Sequence, residues 1–321
     1  MDVALEPLPP KVTALIVSYN SASSLRRLIE TLEANRPPAP PPAKPPALTK
    51  SSPKGAPATP AAPEPPPREL LEILVVDLGS TDESPRLDAE FENVTILRLP
   101  KHFGATKAMN IATRTAAGEY IFYLDPHVEL PPDAIARLSA SLDADDELAA
   151  VAPLLTDAAG TPVPLAYELP TASAFAATIG MHEFARLPVD RHRPTVTVPY
   201  LARTAVMTRK LFVQGMNYFD ERYGHFWPDA ELAMQIRKAQ KKAVIVTGVT
   251  AVLRNYSPEQ GAGFTADRIL GAAAYLSKHE GWGKGLGFYL SALLRSLFGF
   301  QLGLFWKLLT RQKIDGNQGS L

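Results

Sequence analysis

Gly118-Glu-Tyr-Ile-Phe-Tyr-Leu-Asp125-Pro126-His127-Val-Glu129-Leu130 is a buried-strand run that stops at a carboxylate and an imidazole. Ile121 to Leu124 is apolar enough for the middle of a sheet. Pro126 cannot donate to a ladder, so the strand is expected to end at Asp125 and to present Asp125 and His127 at its carboxyl edge. That edge is where open α/β sheets bind ligands. An Asp and a His one residue apart can place an oxygen and a nitrogen on one divalent cation, and such a cation neutralises phosphate. The same residues also fit an ordinary strand-to-turn junction with solvated polar groups.

Working outward, Val12 to Ser18 is a short run rich in β-branched residues. After Tyr19-Asn20, Leu25, Leu28, Ile29 and Leu32 recur at helical spacing, giving strand, loop and helix. Leu71 to Asp77 predicts a second strand ending in an aspartate, and Leu78 to Ser84 a tight turn into a helix. Further strands are expected at Val94–Leu99, Tyr120–Leu124, Leu148–Leu155 and Ala243–Val246, with helices over Gly104–Ala117, Pro132–Leu142 and Pro228–Gln240. Strands alternating with helices imply βαβ units and a mainly parallel sheet. The Pro-containing stretch Pro162 to Thr197 predicts hairpins and loops on the acceptor side. Residues 37–67, dominated by Pro, Ala, Lys and Ser, hold too little apolar surface to offset the entropy of ordering them. They read as a disordered or polyproline-like insertion, either a passive loop or a partner-docking segment.

The composition narrows the function classes. Lys plus Arg and Asp plus Glu number 33 each, so no basic excess marks a nucleic-acid binder, and the absence of Cys removes thiolate chemistry and disulfides. Met1 to Lys11 lacks the apolar core of a signal peptide, so the protein is expected to stay in the cytoplasm unless something else exports it. Leu286 to Leu309 is almost wholly apolar yet carries Arg295 near its centre. Ser291, Arg295, Ser296, Gly299, Gly303 and Lys307 fall on one half of a helix. That pattern predicts a helix lying at a membrane surface, with Tyr289 and Trp306 at headgroup level and Lys307, Arg311 and Lys313 meeting anionic lipid. A tilted or re-entrant segment, or a helix packed on the domain or in a dimer seam, are the alternatives. The expected division is a domain over 12–280 and a helical extension over 284–313.

Ser18-Tyr19-Asn20, Asp77 and Asp125-Pro126-His127 are strand ends that one parallel sheet would align along a common edge, with Asp229 nearby. No glycine-rich dinucleotide fingerprint and no P-loop occurs, which disfavours a dinucleotide oxidoreductase or a nucleoside triphosphatase.

Four segments in order, V-S-Y-N-S-A-S-S-L, V-V-D-L-G-S-T-D-E-S, F-G-A-T-K-A-M-N-I-A with A-A-G-E-Y-I-F-Y-L-D-P-H-V-E-L, and Y-F-D-E-R-Y-G-H-F-W-P-D-A-E-L-A-M-Q-I-R, together resemble the family 2 glycosyltransferases of GT-A fold over roughly residues 12–256. The resemblance implies a Rossmann-like domain that transfers a sugar, with inversion, from a nucleotide-diphosphate sugar to a hydroxyl acceptor. It also implies a divalent cation, Mn2+ or Mg2+. By position, Ser18, Tyr19 and Asn20 would line the nucleotide pocket and Asp77 would hydrogen-bond the base. Lys107 and Asn110 would lie on the helix facing the nucleotide-sugar, and Asp82 would cap a helix. Asp125 would open the D-x-D motif, with His127 as its partner on the metal, and Asp229 would be the general base. The apolar extension points to a lipid-linked or surface-polysaccharide acceptor and to a peripheral enzyme at the inner face of the membrane.

Departures from the family pattern are His127 for the closing aspartate, Leu78 after the base-binding aspartate, Pro228 for a glutamate, Arg254-Asn255 for a histidine, and Leu201-Ala202-Arg203 for the usual Gly-Ala. An imidazole binds hard cations less well than a carboxylate, so metal affinity should fall, and Arg203 or Arg254 could supply part of the missing charge. These departures also leave room for a non-catalytic relative that binds a nucleotide-sugar or a partner protein without turnover.

Overall fold

A computed structural model describes residues 10–36, 71–177, 186–255 and 261–314; the Pro-rich stretch 37–67 lies outside them. In chain order the first half comprises β1 (Val12–Ser18), α1 (Ala22–Glu33), β2 (Leu71–Asp77), β3 (Val94–Arg98), α2 (Ala105–Thr115), β4 (Tyr120–Leu124), β5 (Val128–Glu129), α3 (Ala134–Ala144) and β6 (Leu148–Thr156). Then come β7 (Ala166–Tyr167), α4 (Ala172–Ala177), β8 (Thr195–Val198), β9 (Tyr200–Leu201), β10 (Ala205–Arg209), α5 (Lys210–Gly215), α6 (Pro228–Lys238) and β11 (Lys242–Leu253). Three helices follow, α7 (Ala262–His279), α8 (Trp282–Phe298) and α9 (Leu302–Leu309).

Among the described residues nine strands form one sheet in the order β3-β2-β1-β4-β10-β6-β11-β5, with β8 on the edge of β11; β7 and β9 pair separately. β3, β2, β1 and β4 are parallel, and β6 and β11 run the same way, while β10, β5 and β8 oppose them. The mainly parallel sheet expected from the alternation is therefore present, with antiparallel strands where the βαβ rhythm loosens. β1, β4 and β6 are buried along almost their whole length, as a sheet covered on both faces requires. α1 buries Leu25, Leu28, Ile29 and Leu32, each contributing about 2 kcal/mol of apolar burial. Its C-terminal end is pinned by buried Asn35, whose amide donates to Pro131 O and accepts from Ile135 N at the start of α3.

The C-terminal part differs from the single run expected over Leu286–Leu309. α8 stops at Gly299, where Gln301 N bonds Ser296 O and Phe300 takes a left-handed φ of 53°, and α9 begins afresh. α8 buries Gly285, Phe288, Tyr289, Ala292 and Ser296. A Cβ at Gly285 would lie 1.9 Å from Ser277 Oγ, so the two helices touch at backbone distance. Of the residues expected on the polar half, Ser296 is buried, Ser291 and Lys307 are half-buried, and Arg295, Gly299 and Gly303 are exposed. Tyr289, expected at headgroup level, is buried with its hydroxyl donating to Leu308 O, and Lys313 is buried with its ammonium on Arg222 O. Among the described residues no helix is long and apolar enough to cross a membrane.

Candidate active site

Parallel pairing brings the strand-end residues to one edge. Ser18 pairs with Asp77, and Ile16 with Leu124, so Ser18, Asp77 and Asp125 finish three adjacent strands almost level. At the usual strand spacing Asp77 and Asp125 lie about 10 Å apart across β1. Asp77 is 2% exposed; its Oδ2 accepts from the amides of Gly79 (3.0 Å) and Ser80 (2.9 Å), while Oδ1 is buried with no hydrogen-bond partner. An unmet buried acceptor costs about 1–3 kcal/mol, which a ligand N–H would recover.

The loop after β1 is tied down rather than open. Ser18 Oγ bonds Ser21 Oγ at 2.8 Å, and Asn20 accepts from Thr81 N and donates its own amide to Ser80 Oγ. Of the three expected pocket residues Ser18 is buried, Asn20 is exposed, and Tyr19 is exposed with its ring 5.0 Å edge-on from His102. Asp82 caps, taking Ala22 N at the start of α1 and Ser84 N; burial pushes its carboxyl up, but these amides hold it below the usual range. Lys107 stands 4.8 Å over the Phe103 ring. Asn110 is buried with its amide on Phe219 O and its carbonyl on Phe219 N, so it fixes the loop before α6 rather than offering its side chain to a ligand.

Asp125 Oδ1 accepts from the His127 amide and faces His127 Nδ1, both at 2.9 Å. An octahedral Mg2+ or Mn2+ has ligand atoms about 3 Å apart along an edge, so this oxygen and nitrogen, once Nδ1 is deprotonated, match one edge of such a shell. Among the described residues no third His, Asp or Glu joins them. The pair fits a cation that arrives with a diphosphate supplying further oxygens, the usual habit of Mg2+ sites.

The dipeptide Arg203-Thr204 joins the two halves of the site. Asp125 N donates to Thr204 O at 2.9 Å, and Arg203 N donates to Asp229 Oδ2 at 3.1 Å. Asp229 Oδ1 accepts from Ala230 N at 3.0 Å, and the buried Tyr200 hydroxyl also bonds this carboxylate. Burial first, and then Asp229, push the Tyr200 hydroxyl well up, so it stays a donor. Pro228 occupies the first turn of α6, where its missing N–H costs nothing, which accounts for its presence in place of a glutamate. Arg254 is held at 2.6 Å by Glu129 on β5.

Behind Arg203 lies a histidine and an aspartate the sequence did not single out. Arg203 Nη2 is 3.1 Å from His225 Nε2, and His225 N donates to Asp267 Oδ2 on α7 at 2.6 Å. The His225 ring lies against His102, Phe226 and Phe264 at centroid distances of 5.5, 4.9 and 5.6 Å. Gly224, at φ 67°, lets Asp267 approach: a Cβ there would sit 2.4 Å from its oxygens.

The profile described as Glycosyl transferase family 2 matches residues 13–194. The chain belongs to glycosyltransferase family 2. A curated relative, the undecaprenyl-phosphate 4-deoxy-4-formamido-L-arabinose transferase of Klebsiella pneumoniae subsp. pneumoniae, is 34% identical over 77 residues, covering 22% of this chain and 24% of that protein. Among solved structures, GalNAc-T7 with UDP, GalNAc and Mn2+ aligns with a TM-score of 0.58 at 17% identity, over 81% of this chain and 47% of that one. S. aureus TarS with UDP-GlcNAc gives 0.51 at 15% over 93% and 81%. The mannosyltransferase PcManGT of Pyrobaculum calidifontis with GDP-Man and Mn2+ gives 0.50 at 17% over 96% and 86%. At these identities the likeness is one of fold, and it makes the sheet and its flanking helices a GT-A domain with extra C-terminal helices. This chain spans about a quarter of the curated relative it matches.

Within this family 2 chain, one sequence signal could have found the missed residues. His225 directly follows Gly224, a glycine of positive φ in the loop that leads into α6, and His102 lies two residues before Gly104, another such glycine, at the start of α2. A histidine beside such a glycine at the carboxyl edge is held by a tight turn and is a candidate for the wall of the site.

Proposed function

We propose that this chain transfers a sugar, with inversion, from a nucleotide-diphosphate sugar to an acceptor hydroxyl on a lipid-linked or surface-polysaccharide intermediate. The observation that carries the reading is the Arg203-Thr204 dipeptide, hydrogen-bonded to Asp125 on one side and to Asp229 on the other, which brackets a reacting centre between a strand-end and a helix-start carboxylate. Asp77, with its unmet buried oxygen, suits a ring N–H of the nucleotide base. About 10 Å along the edge, Asp125 and His127 would hold Mn2+ or Mg2+; such a cation would neutralise the leaving diphosphate. Asp229 would take the proton of the acceptor hydroxyl as its oxygen bonds the anomeric carbon and the diphosphate leaves from the opposite face with the bonding electron pair. Its carboxylate retains lone-pair capacity beyond its three donors.

The acceptor reading rests on the C-terminal helices. Leu294, Phe298, Phe300, Leu302 and Trp306 are exposed side chains on α8, α9 and their junction. Arg295, Lys307 and Arg311 accompany them, and no acidic residue occurs from Gly281 to Ile314. Such a surface complements an anionic bilayer, which supports reading the enzyme as peripheral at the inner face of the membrane, on the cytoplasmic side.

A second reading, a non-catalytic binder of a nucleotide-sugar, is favoured by the engagement of Asp229 with Arg203 N, Ala230 N and Tyr200. Turnover separates the two. Asp229→Asn should abolish sugar transfer and leave nucleoside diphosphate affinity within a few-fold of wild type. Wild-type protein that binds the diphosphate and transfers no sugar would establish the second reading.

A further inference from the structure

Arg203 is half-buried, and its guanidinium has one hydrogen-bonding group of the protein against it, His225 Nε2 at 3.1 Å; no carboxylate comes within ion-pair distance among the described residues. Two other arginines of the fold are different. Arg254 is on Glu129 at 2.6 Å and Arg222 on Asp220 at 2.7 Å, so each carries its counter-charge with it. A partly desolvated cation without a counter-charge is unfavourable alone and becomes favourable with an anionic ligand.

Its position and orientation are both fixed. Its own amide is on Asp229 and the next carbonyl is on the Asp125 amide, so the side chain starts between the two candidate reactive carboxylates. A guanidinium only donates, so His225 Nε2 is the acceptor and the imidazole proton sits on Nδ1. His225 is anchored through its amide to Asp267 and packed between His102, Phe226 and Phe264, so it cannot release the guanidinium by swinging away. One N–H of the fork is used on His225, and the others remain in a rigid plane suited to paired phosphate oxygens. At the metal-side position, His127 stands where a second carboxylate would strengthen cation binding, so part of the diphosphate charge is left for the protein to meet.

We infer that Arg203 is a subsite for the diphosphate of the donor, with His225 as the residue that positions it. The inference rests on the transferase reading and assigns within it the group that meets the leaving charge alongside any cation.

Calorimetry of the full chain with UDP and GDP, and with uridine and guanosine, each in Mn2+ and in EDTA, tests it. Arg203→Gln should weaken the bound diphosphate by about 10- to 100-fold in both conditions and leave nucleoside affinity unchanged. Arg203→Lys, which keeps the charge without the fork, should lose affinity in the same direction by less. His225→Leu should reproduce part of the loss, and His225→Gln, which keeps an acceptor for the guanidinium, should restore it, with the unliganded Tm of each variant confirming folding. Diphosphate affinity unchanged in Arg203→Gln, or nucleoside affinity falling in parallel, would overturn the subsite while leaving the transferase reading intact. Binding of neither nucleotide by wild-type protein would overturn both.

Discussion

Glu231 is a carboxylate 1% exposed on α6, two residues from the candidate base. Its Oε2 takes His279 Nε2 at 2.6 Å and the Tyr223 hydroxyl, and its Oε1 takes Gln235 Nε2 at 2.7 Å and Lys278 Nζ at 3.1 Å. Burial pushes this carboxyl up, but the hydrogen bonds from His279, Tyr223 and Gln235 outweigh it and hold the group well below the usual 4.5. A depressed folded-state value means that the unfolded chain takes up the proton first as pH falls. The contribution is complete above about pH 4.5 and is lost progressively below it. Glu231→Gln should therefore cost about 3 kcal/mol at pH 7 in urea unfolding, and the gap from wild type should narrow as pH drops below 4.5. A gap independent of pH would remove the charge from the explanation. Because Tyr223, Lys278 and His279 come from the loop before α6 and from α7, this one carboxylate ties the helix bearing Asp229 to the C-terminal layer.

Between elements, the tightest coupling is at the turn before α6. Gly224→Ala would meet both a left-handed φ and the Asp267 carboxylate, and should destabilise by more than about 2 kcal/mol while weakening nucleotide binding through His225. Gly160→Ala, at φ 81° with nothing within 4 Å of the new methyl, is the control and should cost about 1 kcal/mol with no effect on binding. Equal Tm losses in the two would show that Asp267 yields easily. The elements that sequence reading recovered are those whose neighbours follow from their own pattern. β1, β2 and β4 start and stop where their apolar runs do, and parallel pairing then forces Asp77 and Asp125 to one edge. The contacts of Arg203 with His225 and of His225 with Asp267 join residues 22 and 42 positions apart, so no local pattern announces them. α8 was legible as a helix but not in its orientation. Of the residues read as a polar stripe only Ser296 is buried, and the closest approach to α7 is at Gly285, outside that stripe; α7 itself, rich in Ala, shows no strong stripe to reveal the partnership.

At the scale of the molecule, the C-terminal layer buries Phe175, Tyr223, Trp227, Tyr275 and Phe288 in a second core and turns its large apolar side chains outward. Phe298 and Phe300 are 75% and 86% exposed. The wild-type protein should co-sediment with phosphatidylglycerol vesicles, less with phosphatidylcholine, and less again at high salt. Phe298→Asp with Phe300→Asp should abolish co-sedimentation without lowering Tm, since neither ring packs on the protein. Wild-type protein that ignores vesicles and runs as a dimer dispersed by the same changes would assign this face to a second copy. The opposite pole offers a different freedom. The described chain stops at Arg36, just after α1, and resumes at Leu71, which pairs with Val12 at the start of β1 and so lies a full strand length from the ligand edge. Natural selection, or an engineer splicing in a fluorescent reporter, can therefore lengthen, shorten or replace what joins Arg36 to Leu71 at an entropic charge that grows only with the logarithm of its length, leaving catalysis unaware of the graft.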